Sequence, residues 1–385
     1  MCSVIPPTIR DVTDEDARAA FPLKWGAVEP GVVPAWLAEM DFRLAPVVED
    51  AIVEAVRRGT AGYPPRGDGG VGPAFAGFAE RHWDWRPPAD ASVVVGDVIA
   101  GIRLVFEVLC PPGPVVVPLP CYPPFREVVA VAGRELVPVA TDPDDDEATL
   151  DLRALETAFA GGARTLLLCS PHNPLGRVWT RSELEALHDL ASAYGVRVVA
   201  DEIHGPLTLP GASFVPYLTV DPTAVVVTSA SKAFNTPGLH CATVLTLDAD
   251  EGERLRGVPL PMNNLYSPLG MVAAVAAYEH GDPWLAALVE RLAEQRTLLG
   301  ELVAEHLPRA RMRPLEATYL PWLDLRAYDV ADPTAVALDH GVRPAPGGDF
   351  QPGLEGHVRL NVATSPARLT TMIERLGAAM STPAS

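Results

Sequence analysis

Short apolar runs alternate with amphipathic stretches along most of the chain from about Pro46 onwards. Six of these runs are rich in β-branched residues and apolar throughout, which is typical of strands covered on both faces; they are ASVVVG, GPVVVPL, RTLLLCS, VRVVAD, AVVVTSA and CATVLTL. The stretch RSELEALHDLASAYG, Arg181 to Gly195, carries an apolar stripe at helical spacing and ends at a glycine, which predicts a helix. This alternation predicts an α/β fold in which a mostly parallel sheet is sandwiched by helices.

The pattern changes after Tyr278. DPWLAALVERLAEQRTLLGELVAEHL is one long helical pattern that begins at Asp282. Downstream of it, TYLPWLDL, HVRLNVATS and ARLTTMIERLGAAM predict a smaller α+β unit. We therefore expect three regions, which are an N-terminal segment at 1–45 that packs on the small domain, a large domain at 46–281, and a small C-terminal domain at 282–385.

Composition excludes several classes of partner. The chain has 30 basic and 49 acidic residues, and its formal net charge of -19 repels phosphate backbones and anionic lipid alike. We therefore expect no nucleic-acid partner and no membrane association. The five cysteines form no CxxC pair, so we expect no metal site and no disulfide framework, which fits a reducing cytoplasm. The first residues lack a basic segment followed by an apolar one, so we expect no secretory signal.

Polar residues directly follow three of the predicted strands. Asn173 lies in SPHNPLGRVW, Asp201 and His204 lie in DEIH, and Lys232 lies in SASK. Ligands of a parallel sheet bind beyond the carboxyl ends of its strands, so these four side chains should converge on one crevice. Each also has a structural alternative, namely a turn for Asn173, a helix N-cap for Asp201, a buried structural imidazole for His204 and a solvated amine for Lys232.

Further motifs complete an ordered set: WLAEMDF at Trp36, GYP at Gly62, SASKAFN, TYLPWLDL, and VRLNVATS at Val358. Together they resemble the fold-type-I pyridoxal phosphate enzymes of the class I/II aminotransferase family, in particular its cystathionine β-lyase-like C-S lyase branch. The resemblance covers nearly the whole chain and implies pyridoxal 5'-phosphate as the cofactor. It also implies that Lys232 carries the cofactor covalently and acts as the catalytic base, in a cytoplasmic homodimer with shared active sites.

The resemblance implies contacts to the cofactor ring. Asp201 would pair with the ring nitrogen and keep a proton on it, because an adjacent anion raises the pKa of that nitrogen. Asn173 would donate to the phenolate oxygen of the ring, and His204 would lie near the same oxygen. Tyr122, in LPCYPPF, would stack on the ring face, with a core aromatic as the alternative.

The phosphate of the cofactor needs hydrogen-bond donors. The candidates are the backbone N–H groups of Val98 and Ile99, which open the helical pattern IAGIRLVFEVL, and the hydroxyls of Ser229 and Ser231. Asp97 precedes these donors, so its carboxylate must point away or cap the helix. His240 stands where many relatives carry an arginine and could still donate one hydrogen bond. Tyr63, in AGYPPRG, resembles the tyrosine that reaches the phosphate of the neighbouring subunit.

Substrate binding would fall to Arg359 together with Asn173. An arginine on the strand HVRLNVAT would clamp the substrate α-carboxylate through a bidentate fork, which lysine could not reproduce. An exposed strand arginine is the alternative.

The same apparatus serves several reactions, so the motifs predict the cofactor better than the product. We favour β-elimination from cystathionine or another S-substituted L-cysteine to a thiol, pyruvate and ammonia, because WLAEMDF, DEIH and SKAFN match the C-S lyase branch most closely. Transamination, and a decarboxylating or oxidative reaction on an S-conjugated cysteine, are the enzymatic alternatives. A regulatory partner of another protein is the non-enzymatic one.

Overall fold

The computed structural model describes residues 8–141 and 148–381. The start of the predicted N-terminal segment, residues 1–7, and the end of the predicted small domain, residues 382–385, lie outside the described residues. The bounds of the predicted domains stay a prediction.

A seven-stranded sheet forms the centre of the fold, in the order β2-β8-β7-β6-β5-β3-β4. Its strands are β2 (Ser92–Val95), β3 (Val115–Leu119), β4 (Leu136–Ala140), β5 (Thr165–Cys169), β6 (Arg197–Asp201), β7 (Val225–Thr228) and β8 (Ala242–Leu245). Strands β3 to β7 run parallel, and β8 is antiparallel to both of its neighbours. The predicted α/β fold with a mostly parallel sheet is confirmed.

Both faces of this sheet are buried, as the uninterrupted apolar strands indicated. In β5, Leu167 contributes to one hydrophobic cluster, whereas Leu166 and Leu168 contribute to the cluster on the opposite face. The alternation follows from the two-residue period of a strand, which points successive side chains to opposite faces. Helices therefore have to cover the sheet on both sides.

The helices that accompany the central sheet are α2 (Pro46–Arg57), α3 (Val71–Trp83), α4 (Val98–Val108), α5 (Pro123–Val131), α6 (Leu152–Ala160), α7 (Arg181–Tyr194), α8 (Ala249–Arg256) and α9 (Pro268–His280). Helix α7 shows why these segments are helical. Thr180 and Glu183 form a reciprocal capping box at its start, and Gly195 ends it with a φ of 63°. A residue with a side chain adopts this left-handed conformation with difficulty, so glycine is the favoured stop.

Beyond α10 (Asp282–His306) the chain forms a separate sheet of short antiparallel strands, in the order β12-β13-β10-β9. The remaining elements of this region are β9 (Arg311–Met312), β10 (Trp322–Asp324), α11 (Pro333–Asp339), β11 (Val342–Arg343), β12 (Ala345–Pro346), α12 (Gly347–Phe350), β13 (His357–Arg359) and α13 (Pro366–Ser381). Before the large sheet lie α1 (Asp14–Ala20) and β1 (Val33–Pro34). Strand β1 pairs in parallel with β11, which brings the N-terminal part against the C-terminal part.

No helix within residues 8–141 and 148–381 combines the length and the apolarity that a membrane crossing requires.

Candidate active site

A cavity of about 620 Å³ opens at the carboxyl ends of β5, β6 and β7. It is lined by Cys169 and Asp201, the last residues of β5 and β6, and by Lys232 in the loop after β7. Eight of the predicted site residues contribute to this lining, namely Val98, Ile99, Tyr122, Asn173, Asp201, His204, Ser231 and Lys232. The geometry of a parallel sheet thus brings together residues from five separate stretches of sequence.

Lys232 is held inside the site by a hydrogen bond across the molecule. Its Nζ donates to the backbone carbonyl of Ala38 at 2.9 Å. Burial, and to a lesser extent the nearby Arg359 guanidinium, lowers the pKa of this amine from 10.5 to about 8, although Glu39 and Asp201 act in the opposite direction. A solvated lysine is therefore excluded in this structure, and about a tenth of the amine is uncharged at pH 7.

Asp201 is a buried carboxyl group at the end of β6 and is only 5% exposed. Its Oδ1 accepts a hydrogen bond from the backbone N–H of Ile203 at 3.0 Å. Burial raises the pKa of this carboxyl to about 7, and the Ile203 hydrogen bond and the Lys232 charge oppose that rise only in part. Within the described chain no ion pair joins Asp201 to a cation, so the group is suited to a cationic atom of a bound ligand.

His204 is a neutral imidazole in the wall of the cavity. Burial, together with the charges of Lys232 and Arg359, lowers its pKa to about 3. Its Nδ1 has no hydrogen-bond partner among the described residues, although the side chain is buried. An unpaired polar atom in a cavity wall is costly unless a ligand or water pairs with it.

Arg359 lies behind Asn173 and is not part of the cavity lining. It occupies the central strand β13 of the small sheet and is 4% exposed, which excludes the alternative of an exposed strand arginine. One Nη donates to Asn173 Oδ1 at 3.0 Å and the other to the Trp36 carbonyl at 2.6 Å. Its Nε is buried with no partner among the described residues, and burial lowers the pKa of the guanidinium to about 10. A carboxylate is the natural partner for such a group.

The start of α4 supplies anion-binding donors to the cavity. Val98 and Ile99 are the first two residues of the helix, and their backbone N–H groups have no acceptor within it. The Asp97 carboxylate accepts from the backbone N–H of Ala100 at 2.8 Å. Of the two expected arrangements, the carboxylate therefore adopts the one in which it caps the helix.

Asn173 is held nearby in a turn in which Gly176 has a φ of 66°. A side chain on Gly176 would also collide with Leu315 at 2.7 Å.

Tyr122 lines the cavity just before α5. Its ring packs edge-on against Phe125, with ring centroids 5.8 Å apart. Burial raises the pKa of its hydroxyl, so this side chain is a neutral aromatic wall. Its stacking on a cofactor ring stays a prediction.

Three predicted cofactor residues are not in the lining. The Ser229 hydroxyl is already engaged, because it donates to the Cys241 carbonyl at 2.6 Å and accepts from the Ser231 N–H at 3.0 Å. Ser229 therefore shapes the loop that carries Lys232. His240 is exposed, in a left-handed conformation with a φ of 49°. Tyr63 is fully exposed on the single chain.

The sequence reasoning did not identify Ala38 or Tyr319, which meet at Lys232 through the Ala38 carbonyl. The motifs WLAEMDF and TYLPWLDL contained both residues, but the function of Ala38 is carried by its backbone, which no residue type reveals. The stretch from Pro261 to Leu265 also lines the cavity.

The comparisons with known proteins agree with this geometry. The family model for aminotransferase class I and II matches residues 42–376. A Mycobacterium tuberculosis protein named "Putative cystathionine beta-lyase" is 37% identical over 97% of this chain and 98% of its own length. The cystathionine beta-lyase of Corynebacterium glutamicum is 32% identical over 95% of this chain and 98% of its own length.

A solved structure is also similar over nearly the full length. It is a "putative plp-dependent beta-cystathionase" from Corynebacterium diphtheriae, with a TM-score of 0.92 and 32% sequence identity. The match covers 97% of this chain and 99% of that one.

Proposed function

The chain belongs to the class I and II aminotransferase family, and from this premise we propose that it is a pyridoxal 5'-phosphate-dependent carbon–sulfur β-lyase. The substrate is cystathionine or another S-substituted L-cysteine, and the products are a thiol, pyruvate and ammonia. One observation carries the proposal: Lys232, Asp201 and the start of α4 line a single cavity. The relatives that bear the name cystathionine beta-lyase support the choice of reaction.

The donor set of the cavity fits this cofactor. A carbonyl group needs an amine, a phosphate needs backbone donors, and a basic ring nitrogen needs a buried acid, and the cavity provides Lys232, the N-terminus of α4 and Asp201 for these three parts. The unpaired Nδ1 of His204 provides a further polar contact. When bound, the pyridine ring of the cofactor accepts the electron pair left at Cα of the substrate.

Lys232 acts twice, first as the amine that attaches the cofactor and then, once released, as the base that removes the Cα proton. Both roles require an uncharged amine. With an ordinary pKa near 10.5, only about one amine in 300 would be uncharged at pH 8. With the pKa lowered to about 8, roughly half is uncharged at that pH.

Asp201 stabilises a proton on the ring nitrogen. In the protein alone its charge is disfavoured by burial, which is why the pKa of its carboxyl is raised. A protonated ring nitrogen beside Asp201 supplies the missing counter-charge, so the carboxylate and the cationic ring stabilise each other.

Arg359 and Asn173 orient the amino acid. Within the part of the chain that the structure describes, the guanidinium donates to neutral oxygens of Asn173 and Trp36, and its buried Nε has no partner there. A substrate carboxylate would replace these neutral acceptors and form two parallel, charge-assisted hydrogen bonds with the guanidinium. Held in this way, the substrate would present its Cα–H bond to the amine of Lys232. Breakage of the Cβ–S bond then releases the electron pair on sulfur as a thiolate, and water converts the remaining three-carbon amine to pyruvate and ammonia.

The working molecule in this proposal is a cytoplasmic homodimer that shares its active sites. Tyr63 is 100% exposed, and Leu260 and Leu265, the residue before the cavity-lining stretch 261–265 and the last residue of that stretch, are 72% and 70% exposed. Large apolar side chains exposed together favour a protein surface as their cover. Mixing subunits with Tyr63→Ala and subunits with Lys232→Ala tests this, because a shared site would be regenerated in the mixed dimer and an unshared one would not.

The experiment that tests the function is incubation of the purified protein with L-cystathionine and pyridoxal 5'-phosphate, without a keto acid. We expect stoichiometric pyruvate, ammonia and thiol, and no turnover by the Lys232→Ala variant. An aminotransferase would instead transfer the amino group to the cofactor once and stop until a keto acid is added. Retention of the bound cofactor without reaction toward any amino acid would support the regulatory alternative.

A further inference from the structure

The segment Trp36–Met40, which we call the strap, passes the active site with all of its backbone carbonyls held by side chains from elsewhere in the chain. The donors are Arg359 to Trp36, Asn361 to Leu37, Lys232 and Tyr319 to Ala38, Lys24 and Asn361 to Glu39, and Asn235 to Met40. Buried carbonyls require such partners, so the strap is held in place by this set of donors. Two of them, Lys232 and Arg359, are the residues that we propose to bind cofactor and substrate.

The Ala38 carbonyl is the only point of the strap in the cavity wall, since no other residue of 36–40 belongs to the described lining. It accepts two hydrogen bonds, from Lys232 Nζ at 2.9 Å and from the Tyr319 hydroxyl at 3.1 Å. Tyr319 is completely buried, and burial raises the pKa of its hydroxyl well above the ordinary value, so it stays a neutral donor. A carbonyl oxygen has two lone pairs, which these two donors occupy.

The backbone next to Tyr319 is strained. Thr318 has a φ of 72°, a left-handed conformation that is unfavourable for a β-branched residue. It is held there by its N–H bond to the Leu207 carbonyl at 3.0 Å and by its hydroxyl, which accepts from the Leu320 N–H at 3.0 Å. Strain of this kind persists where the surrounding structure determines the position of a side chain, and here that side chain is Tyr319.

We infer that Tyr319 is a positioning residue that keeps the Ala38 carbonyl, and with it the strap, in place when Lys232 carries the cofactor. This rests on the proposed function. In covalent attachment the amine loses two N–H hydrogens, a carbon–nitrogen double bond replaces the carbon–oxygen double bond of the aldehyde, and the oxygen leaves as water. The unprotonated imine nitrogen has no N–H to donate to Ala38, and the Tyr319 hydroxyl is the donor that remains.

The inference makes the two states of the protein respond differently to loss of the hydroxyl. In the cofactor-free protein, Tyr319→Phe leaves the Ala38 carbonyl with Lys232 as its donor. In the loaded protein the same substitution leaves that carbonyl without a donor, beside a cavity that the cofactor fills. An unsatisfied buried carbonyl weakens binding by about tenfold.

The matched control is Tyr217→Phe. Tyr217 is also completely buried, but its hydroxyl has no hydrogen-bond partner among the described residues. The control therefore removes the same atom from the interior without removing a hydrogen bond.

The experiment titrates wild type, Tyr319→Phe and Tyr217→Phe, each freed of cofactor, with pyridoxal 5'-phosphate, and follows binding by absorption. Thermal unfolding of the three cofactor-free proteins is measured in parallel. We expect about tenfold weaker binding by Tyr319→Phe alone, with its cofactor-free melting midpoint close to that of wild type. Equal affinity of all three proteins for the cofactor would overturn the inference. It would also be overturned if cofactor-free Tyr319→Phe lost as much free energy of unfolding as it lost free energy of cofactor binding. Failure of wild type to bind the cofactor would refute the proposed function instead.

Discussion

Replacement of Asp201 by asparagine should stabilise the cofactor-free protein and at the same time abolish its chemistry. The carboxyl is buried, with one backbone hydrogen bond and no ion pair within the described residues, and its pKa is raised from 3.8 to about 7. Asparagine keeps the size of the side chain but cannot ionise. In the cofactor-free protein the substitution therefore removes the cost of a buried charge. In the protein with bound cofactor it removes the negative charge that stabilises the protonated ring nitrogen.

The magnitude follows from linkage between proton binding and folding. Below pH 3.8 both the folded and the unfolded protein hold the proton, so Asp201 makes no pH-dependent contribution. Between pH 3.8 and about 7 the unfolded chain releases the proton while the folded protein retains it, so the free energy of unfolding falls as pH rises. At 1.36 kcal/mol per pKa unit, the loss reaches roughly 4 kcal/mol and is complete above pH 7.

The assay is urea unfolding of cofactor-free wild type and Asp201→Asn at intervals between pH 4 and pH 8.5. We expect the free energy of unfolding of Asp201→Asn to rise relative to that of wild type across this pH range. The difference between the two free energies should level off above pH 7. Asp221→Asn is the control, because Asp221 is equally buried but accepts hydrogen bonds from the Thr223 N–H and hydroxyl, at 2.9 and 2.6 Å. That variant should be less stable than wild type at neutral pH. A difference between Asp201→Asn and wild type that stays constant with pH would refute the reasoning.

Two further substitutions test the substrate clamp and the N-terminal region. Arg359→Lys should lower kcat/KM by about 10- to 100-fold, mainly through a higher KM, because one ammonium cannot replace both Nη hydrogen bonds and the charged fork. The absorption of the bound cofactor should not change. An unchanged KM would contradict the role of Arg359 in binding the substrate carboxylate. Lys24→Met breaks a fully buried ion pair with Asp41, at 2.8 Å, and should cost about 3–5 kcal/mol, or roughly 4–6 °C in melting midpoint for a chain of 385 residues. Arg10→Met breaks the exposed ion pair between Arg10 and Glu49 and should change the melting midpoint by less than about 1 °C. Equal changes in the two variants would refute the expectation that the buried pair contributes more to stability than the exposed one.

The six apolar runs noted in the sequence all became strands of the central sheet, because strands buried on both faces need uninterrupted apolar side chains. Strand β4 was missed for the complementary reason. It is one of the two edge strands of the sheet, most of its side chains are partly or fully exposed, and Pro138 lies in its middle. An exposed edge strand tolerates proline and polar side chains, so β4 lacks the signal that marked the others. The other edge strand, β2, is buried along its whole length and keeps that signal.

Lys232 and Asp201 could be proposed from the sequence because each follows an apolar run. A charged residue at such a position is unfavourable unless it has a partner or a function. Ala38 contributes a carbonyl, which every residue has, and its position beside Lys232 arises only when the N-terminal part of the chain passes the large sheet. The lowered pKa of Lys232 is likewise a property of the closed site, since burial is its largest cause and requires every wall to be present. Residue type thus indicates which groups can react, whereas the strap and its donors determine the protonation state and the position in which they do so.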